Sequence, residues 1–598
     1  MRVPKIVNKA VQIGNELISK AISTPRGICW ETQIQRDETS LDTVITADIY
    51  SGASGIALFF LELFRATKQQ KYLVTAQKAM DWVVWYGQNE NWNEYSFYVG
   101  RTGAAYVLVK LFKITGNKKY FDQALAISKG GTKFLDKKPV CDLLLGVSGT
   151  LLGLLHLYAV TKQKWILKDM RANLDSLLAR VNFGPEGIYW DRSGDDIHGL
   201  CSFSHGASGI GFVLLEMGKF FSNPAYYWLA KQAFDYEDYY YDKKKHNWPD
   251  FRKLYGRKDL FVKAVEEYNK KNYKYFSSPS FTYAWCHGSP GIGLARLRYK
   301  DLTGEKNWLL KVKDSQIPAS LETKKQNELG LCHGLTGLIE IARLQSTLYK
   351  KDSNRFLNER QSSSLVTDLF NGLAGIGYGV LKSLRKDKFS VLYPVLKERY
   401  LVKSSKVFDE DIGGLKMILI KQLFPQTLAV CSGSEISKLQ KSLNQGKNQR
   451  SKNLVSALTG CLELLLNKGS EAYLIFEVEK KKIGLDNRKS DVYLYVSQYV
   501  HAKENERILK LSEHKLNKIE LKLVPEVKLI KGNYILRQTY EGVKMIRVSK
   551  FYYEIFFSFY STNSIDKVTL SLSESSKQRA LKLVNQSLSI GILTTDKL

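Results

Sequence analysis

"LCHGLTGLIEIARL", residues 331–344, couples a Cys–His pair to two glycines three apart, Gly334 and Gly337, and runs on into an apolar stretch. "YAWCHGSPGIG", residues 283–293, does the same with Cys286, His287, Gly288 and Gly291. Outward from these two, the Gly-x-x-Gly step recurs at Gly52–Gly55, Gly100–Gly103, Gly146–Gly149, Gly206–Gly209 and Gly372–Gly375, each time before a strongly apolar run. Seven copies mark a repeat architecture. The first glycine is expected to let the chain turn sharply into a helix, and the second to remove a side chain where helix ends crowd together.

The runs after the steps, such as "GIGFVLLEMG" at 209–218, are apolar nearly all round and should be buried helices. Between them lie amphipathic segments such as "QKYLVTAQKAMDWVVWYG" (70–87) and "KKYFDQALAISKGGTKFL" (118–135), suited to an outer layer. Seven buried helices inside an amphipathic ring predict a closed seven-fold α/α toroid. An aromatic, basic insert, "FDYEDYYYDKKKHNWPDFRKLYG" (234–256), fills the longer interval before Gly288. No step follows a convincing strand or precedes a Lys-Ser/Thr pair, so the glycines are architecture and not a phosphate cradle.

If the inner helices all start at one rim, polar residues beside the steps meet in one cavity. The titratable residues read there are Asp142, His205, Cys286, His287, Cys332 and His333. Zinc takes sulfur and imidazole ligands at tetrahedral geometry. Cys286, Cys332 and His333 would leave a fourth position open, as catalytic zinc requires; His287 as a fourth ligand would make the site structural. The bland alternative is two buried thiols and two hydrogen-bonded histidines.

Of 598 residues, 44% are hydrophobic and 12% aromatic, which excludes a disordered chain. No apolar run is long enough to span a membrane, and the amphipathic N-terminus reads as a surface helix. Seven scattered cysteines are no disulfide framework and fit a reducing compartment. The net charge of +30 would serve an anionic partner, but no basic helix interleaved with base-stacking aromatics appears, so no nucleic acid is expected.

Together the seven steps, "WCHGSPG", "LCHGLTG", "SHGASG", the "D-x-x-x-G-x-S-G" of Asp142–Gly149 and "NWPD" at 247–250 resemble the lanthionine synthetase C-like family over about residues 40–395. The resemblance implies a seven-fold α/α toroid holding one zinc per chain on two cysteines and a histidine, here Cys286, Cys332 and His333. It implies a cyclase that adds peptide cysteine thiolates to dehydroalanine or dehydrobutyrine in a precursor, forming (methyl)lanthionine rings. A thiol of pKa near 8.5 is mostly protonated at neutral pH, and a metal promotes its ionisation. The resulting enolate must then be protonated. His205 matches the family histidine proposed for this acid–base role, and Asp142 the aspartate that would orient it or share the proton transfer; Asp142 also reads as a helix N-terminal cap. His287 stands where bacterial members often carry an aromatic, and is a second proton-donor candidate.

The partners implied are a dehydrated precursor peptide, a separate dehydratase and an exporter, since no dehydratase segment is visible. The expected location is cytoplasmic, with peripheral membrane association as an option that the basic charge leaves open. Two other activities use the same residues: addition of glutathione to dehydrated residues, and a non-catalytic zinc-containing peptide scaffold. Asp195 and Asp196 resemble a glycosidase acid pair, but their loop-like setting argues against that role.

The toroid domain is expected over 1–405 and a smaller mixed α+β domain over 406–598. Within the latter, "EAYLIFEVEKKKIG" (471–484) and "DVYLYVSQYVHA" (491–502) alternate like strands. "EVKLIKGNYILRQTYEGVKMIRVS" (526–549) reads as a β-ribbon, and "SSKQRALKLVNQSLSIGILTT" (575–595) as helix, glycine turn and strand. Residues 520–598 loosely resemble a PqqD-like winged helix, which implies leader-peptide binding by strand addition. A structural or dimerising appendage is the alternative.

Overall fold

The computed structural model describes residues 5–35, 41–133, 135, 139–190, 199–251, 258–277, 280–306, 329–345, 366–385, 389–396, 407–445, 453–486, 491–530, 533–539 and 542–595. They form two compact units. The first takes the described residues to 190, 199–251 and 280–418; the second takes 258–277 and those from 419 onward.

In the first unit every glycine step opens a helix: Ala53–Thr67, Arg101–Thr115, Val147–Thr161, Ala207–Phe221, Ser289–Thr303, Leu335–Leu344 and Leu373–Ser383. Each packs on the next, and the seventh returns to the first, so the ring closes. Of Ala207–Phe221, only Lys219 is not buried. Outer helices Gln70–Asn89, Lys118–Ile127, Lys164–Leu178 and Ala225–Tyr239 pair with the first four inner ones. In Lys164–Leu178 the buried stripe is Ile166, Met170, Leu174, Leu177 and Leu178, an amphipathic period. The N-terminal helix Lys5–Ser19 buries Val7, Ala10, Ile13 and Leu17 and packs across the seam between the seventh and first inner helices. The fold is mainly α, a seven-fold α/α toroid with a smaller α+β region after it.

The glycines have a sharper cause than a turn. A Cβ on the second glycine would lie 1.9 Å from the carbonyl oxygen six residues earlier at Gly337, and the other six steps repeat this contact at 1.9–2.3 Å. Each pre-helix loop thus folds back over the first turn of its own helix. Neighbouring steps crowd in behind: the same Cβ on Gly209 would meet Leu143 Cβ at 2.9 Å, and on Gly291 it would meet Phe203 Cβ at 2.8 Å. The expectation for the first glycine needs correction. Its backbone is extended with negative φ in six steps; only Gly288, at φ 84°, needs the left-handed side of the map.

Hydrogen bonds between consecutive pre-helix loops run round the rim. Backbone N–H groups donate from Tyr50 to Tyr98 O, Leu144 to Ser204 O, Ser204 to Cys286 O, Trp285 to Cys332 O, Cys332 to Phe370 O and Phe370 to Tyr50 O, at 2.9–3.2 Å. Ser96 Oγ supplies the remaining link, to Leu144 O at 2.7 Å.

The lumen is filled. Tyr98, Phe203, Trp285 and Phe370 contact one another edge-on or tilted, with ring centroids 5.0–5.7 Å apart. The segment Ser390–Leu396 threads beneath them. Its backbone carbonyls accept from Tyr98 Oη, at Val391, and from Trp285 Nε1, at Leu392; its N–H groups donate to Tyr378 Oη, from Val391, and to Glu216, from Leu396. This plug was not read from the sequence.

In the second unit the two expected strands are helices, Glu471–Asp486 and Asp491–Ile508. Each buries a stripe at helical spacing that includes Ala472, Ile475, Phe476 and Glu479 in one and Leu494, Ser497, His501 and Asn505 in the other. The ribbon is a three-stranded antiparallel meander, Val527–Ile530, Tyr534–Thr539 and Gly542–Arg547. Helices Lys550–Ser558, Ile565–Thr569 and Glu574–Ser589 follow, then Gly591 at φ 67° and strand Leu593–Thr595, which pairs with Glu520–Leu523.

Ion pairs staple the toroid's seam. Glu62 on the first inner helix meets Lys382 on the seventh at 3.6 Å and Arg385 just beyond it at 2.7 Å. Burial alone would raise the Glu62 pKa, but Lys382, Lys110, Arg65 and Arg385 outweigh it and hold the carboxyl at about 2, against an ordinary 4.5. A lowered pKa stabilises above the unfolded value and ceases to do so as pH falls through the folded one, here between about 5 and 2. Glu62→Gln should therefore cost the toroid on the order of 3 kcal/mol at pH 7. In urea unfolding the gap to wild type should shrink steadily below pH 5; a gap as wide at pH 3 as at pH 7 would assign the loss to packing.

Candidate metal centre and acid–base pair

The fifth and sixth steps are neighbours in the ring, and the Trp285 N–H to Cys332 O bond ties their loops together. This places Cys286, Cys332 and His333 with one ligand atom of each within 4.8 Å of the others. A tetrahedral ion with Zn–S near 2.3 Å needs ligand atoms about 3.8 Å apart, so a small contraction suffices. Two thiols and an imidazole are a soft donor set suited to zinc. Cys332 is buried, Cys286 half-buried and His333 exposed, so the cluster opens to the rim on one side. His287 is buried and does not join it among the described residues. The Cys286 thiol is held well below its ordinary pKa by its hydrogen bond with Cys332; burial opposes this, and His287 and His333 reinforce it.

The metal loop has its own buttress. Asn247 of the "NWPD" segment, fully buried, accepts from the N–H of Ser289 at 2.7 Å and of Trp248 at 2.8 Å, and donates to Thr282 O at 3.0 Å. Asp250 accepts from Thr282 Oγ1 at 2.9 Å. A Cβ on Gly288 would fall 1.7 Å from Thr282 O, so positive φ and lack of space both demand glycine there.

His205 stands at the start of the fourth step, and its Nδ1 lies 2.7 Å from Asp142 Oδ2. The other oxygen, Oδ1, accepts from the Leu145 and Gly146 N–H groups at 2.7 and 3.0 Å. Capping and histidine orientation thus fall to different oxygens of one carboxylate. The pairing of Nδ1 with the Asp142 carboxylate sets the orientation of the ring. The His205 ring sits 5.6 Å from that of His287, centroid to centroid, which links the acid–base pair to the metal step. Asp195 and Asp196 lie outside the described residues.

Three rim residues escaped the sequence reading. Asp48 and Asp368 stand four before a first glycine, as Asp142 does, and cap their loops through the N–H groups of Ser51 and Asn371, both at 2.7 Å. Burial pushes each carboxyl up to about 6. The shared D-x-x-x-G spacing was the available signal. Tyr50 stacks on Phe370 with centroids 4.5 Å apart, and its phenol is pushed well up by burial and then by Cys332 and Cys286 beside it.

Residues 43–396 match the family model for lanthionine synthetase C-like proteins. The nisin biosynthesis protein NisC of Lactococcus lactis subsp. lactis is 25% identical over 423 residues, 65% of this chain and 95% of the relative. The lacticin 481/lactococcin biosynthesis protein LcnDR2, from the same organism, is 24% identical over 384 residues, 58% of this chain and 37% of the relative. Among solved structures, a nisin cyclase covers 63% of this chain and 92% of its own at 18% identity and a TM-score of 0.44. No described helix is long and apolar enough to cross a membrane. With more than half of its length matched by the family model, the chain belongs to the lanthionine synthetase C-like family.

Proposed function

We propose that the protein is a zinc-dependent peptide cyclase that forms (methyl)lanthionine thioethers in a dehydrated precursor, acting after a separate dehydratase and ahead of an exporter. The observation that carries this is the meeting of Cys286, Cys332 and His333 beside the His205–Asp142 pair. Cys286, Cys332 and His333 would hold one zinc ion, whose Lewis acidity, when bound, favours the thiolate form of a substrate cysteine.

The chain's own residues supply the proton steps. His205 Nε2 takes the thiol proton, with Asp142 fixing the tautomer and stabilising the imidazolium. A sulfur–carbon bond then forms at the β-carbon of the dehydro residue as its π bond breaks. The electron pair passes to the α-carbon and carbonyl as an enolate, and His205 returns the proton to the α-carbon. Substrate mass is unchanged and one thiol is consumed. The buried aromatic layer of Tyr98, Phe203, Trp285 and Phe370 closes the lumen and confines water to the open side. His287, next in line beyond His205, is the alternative proton donor. In the second unit, strand addition to the meander would be the route by which a leader segment binds.

Elemental analysis should find about one zinc per chain, absent in Cys332→Ala; wild-type protein that stays metal-free after zinc is supplied would end the proposal. The acid–base pair separates from the metal by a second assay. Asp142→Asn should retain zinc yet lower kcat for ring closure by about 10²-fold or more, and shift the acidic limb of its pH profile, because the amide caps the loop but no longer sets the imidazole. Ring closure is followed by loss of free peptide thiol at constant mass; a mass gain in the presence of glutathione would identify a small-thiol transferase.

A further inference from the structure

Glu237 lies on the outer helix Ala225–Tyr239 and is fully buried, yet its carboxyl group serves the rim. Its Oε1 accepts from the N–H groups of Ser202, at 3.1 Å, and Ser208, at 2.8 Å. Its Oε2 accepts from Ser208 Oγ and from Arg296 Nη2, the latter at 2.9 Å. Ser202 and Ser208 stand three residues to either side of His205. Within the loop, Ser202 Oγ accepts from the His205 N–H at 3.0 Å. One side chain thus holds both ends of the segment that carries the imidazole.

Arg296 joins it from the neighbouring step. It sits on the fifth inner helix, which the Cys286 step opens, and is 1% exposed. Its Nη1 donates to Ser208 Oγ at 3.1 Å, and its guanidinium lies over the Phe234 ring, 4.0 Å from the centroid. Between the same two steps, the Ser204 N–H and Oγ both donate to Cys286 O, at 3.2 and 3.1 Å, and Ser202 forms an antiparallel bridge with His287. The His205 loop is therefore tied by its backbone to the metal step's loop, and through Glu237 and Arg296 to the metal step's helix.

A carboxylate at a helix N-terminus is ordinary, and Asp48, Asp142 and Asp368 cap their own loops in that way. Among the described residues, no other outer helix sends a carboxylate to a rim loop; Asp81 pairs with Lys119 and Asp175 with Arg171. Burial raises the Glu237 pKa and Arg296 opposes it. A buried ion pair is weak as a stabilising device, since apolar residues of similar volume often serve as well; what it can supply is one defined geometry. The loop given this extra device is the one whose histidine lies against His287 of the metal step.

We infer that the buried Glu237–Arg296 pair is a positioning pair that holds His205 in register with the step carrying Cys286. What His205 then does rests on the cyclase reading above; where it is held does not. The test uses the full chain, zinc-loaded, with two variants. Glu237→Gln/Arg296→Met keeps an acceptor for the Ser202 and Ser208 N–H groups but removes the tie to the fifth helix. Ser208→Ala removes only the hydroxyl that both partners share. The first readout is the ring proton–carbon NMR correlation of His205 in histidine-labelled protein, assigned among the eight histidines through His205→Gln. In both variants this signal should shift or broaden while zinc content stays at the wild-type value. The second readout is ring closure: kcat should fall at least about tenfold in the double variant with KM little changed, and by less in Ser208→Ala. A His205 signal unmoved in both variants, or a kcat that stays at the wild-type value in the double variant, would overturn the proposal. Loss of zinc along with kcat would overturn it too, because the pair would then serve the metal loop. If the double variant does not fold, Ser208→Ala decides on the same readouts. If wild-type protein closes no ring, the cyclase reading fails and the His205 signal alone decides this one.

Discussion

Everything at the rim depends on how close a backbone can come to a helix end. Where each loop folds back over the first turn of its own helix, a carbonyl oxygen occupies the place of a Cβ, and only glycine fits. That contact presents the loop to the next one, and the loops then join hand to hand through backbone hydrogen bonds. Cys286 and Cys332 are members of this chain: Cys286 O accepts from Ser204, and Cys332 both accepts from Trp285 and donates to Phe370. Their backbones are therefore fixed by the rim's hydrogen-bond network, which brings the two thiols together.

The repeat uses one loop design seven times and varies a few side chains within it. A capping oxygen four residues before the first glycine is present as Asp48, Ser96, Asp142, Ser202 and Asp368. In Asp142 alone does the second carboxylate oxygen meet a histidine; in Asp368 it accepts from Thr32 Oγ1. The only first glycine at positive φ among the steps is Gly288, in the loop that carries Cys286 and His287. Departure from the repeat coincides with the residues of the proposed site.

What the sequence disclosed follows from the same physics. The glycine demand is local, so the seven inner helices were legible from spacing, as were the cysteine and histidine positions that the ring gathers. Asp48 and Asp368 stand in the same pattern as Asp142, but no histidine accompanies them. Residues 471–484 and 491–502 misled because short runs of Tyr, Leu, Ile and Val alternate locally, while burial of Glu479 and of His501, Asn505 and Ser497 obeys a helical period visible only with the tertiary structure. Glu479 is buried because its carboxylate accepts from the Gln426 and Thr427 N–H groups of a neighbouring helix start. The plug was illegible for a different reason: "SVLYPVL" has no period, and beyond its own turn its backbone finds partners in side chains of other elements, Tyr98, His156, Glu216, Trp285 and Tyr378.

The seam across the ring has a consequence for biosynthesis. Helix Lys5–Ser19 buries its apolar stripe on inner helices that include Leu373–Ser383, about 350 residues later. At ordinary elongation rates of 5–20 residues per second, roughly 20 to 70 s separate the emergence of the two. During that interval the stripe of Val7, Ala10, Ile13 and Leu17 lacks one of its native partners, and the first inner helix lacks the neighbour that completes its burial. The toroid is thus closed by contacts of large sequence separation, and its early segments wait on late ones until the circle is complete.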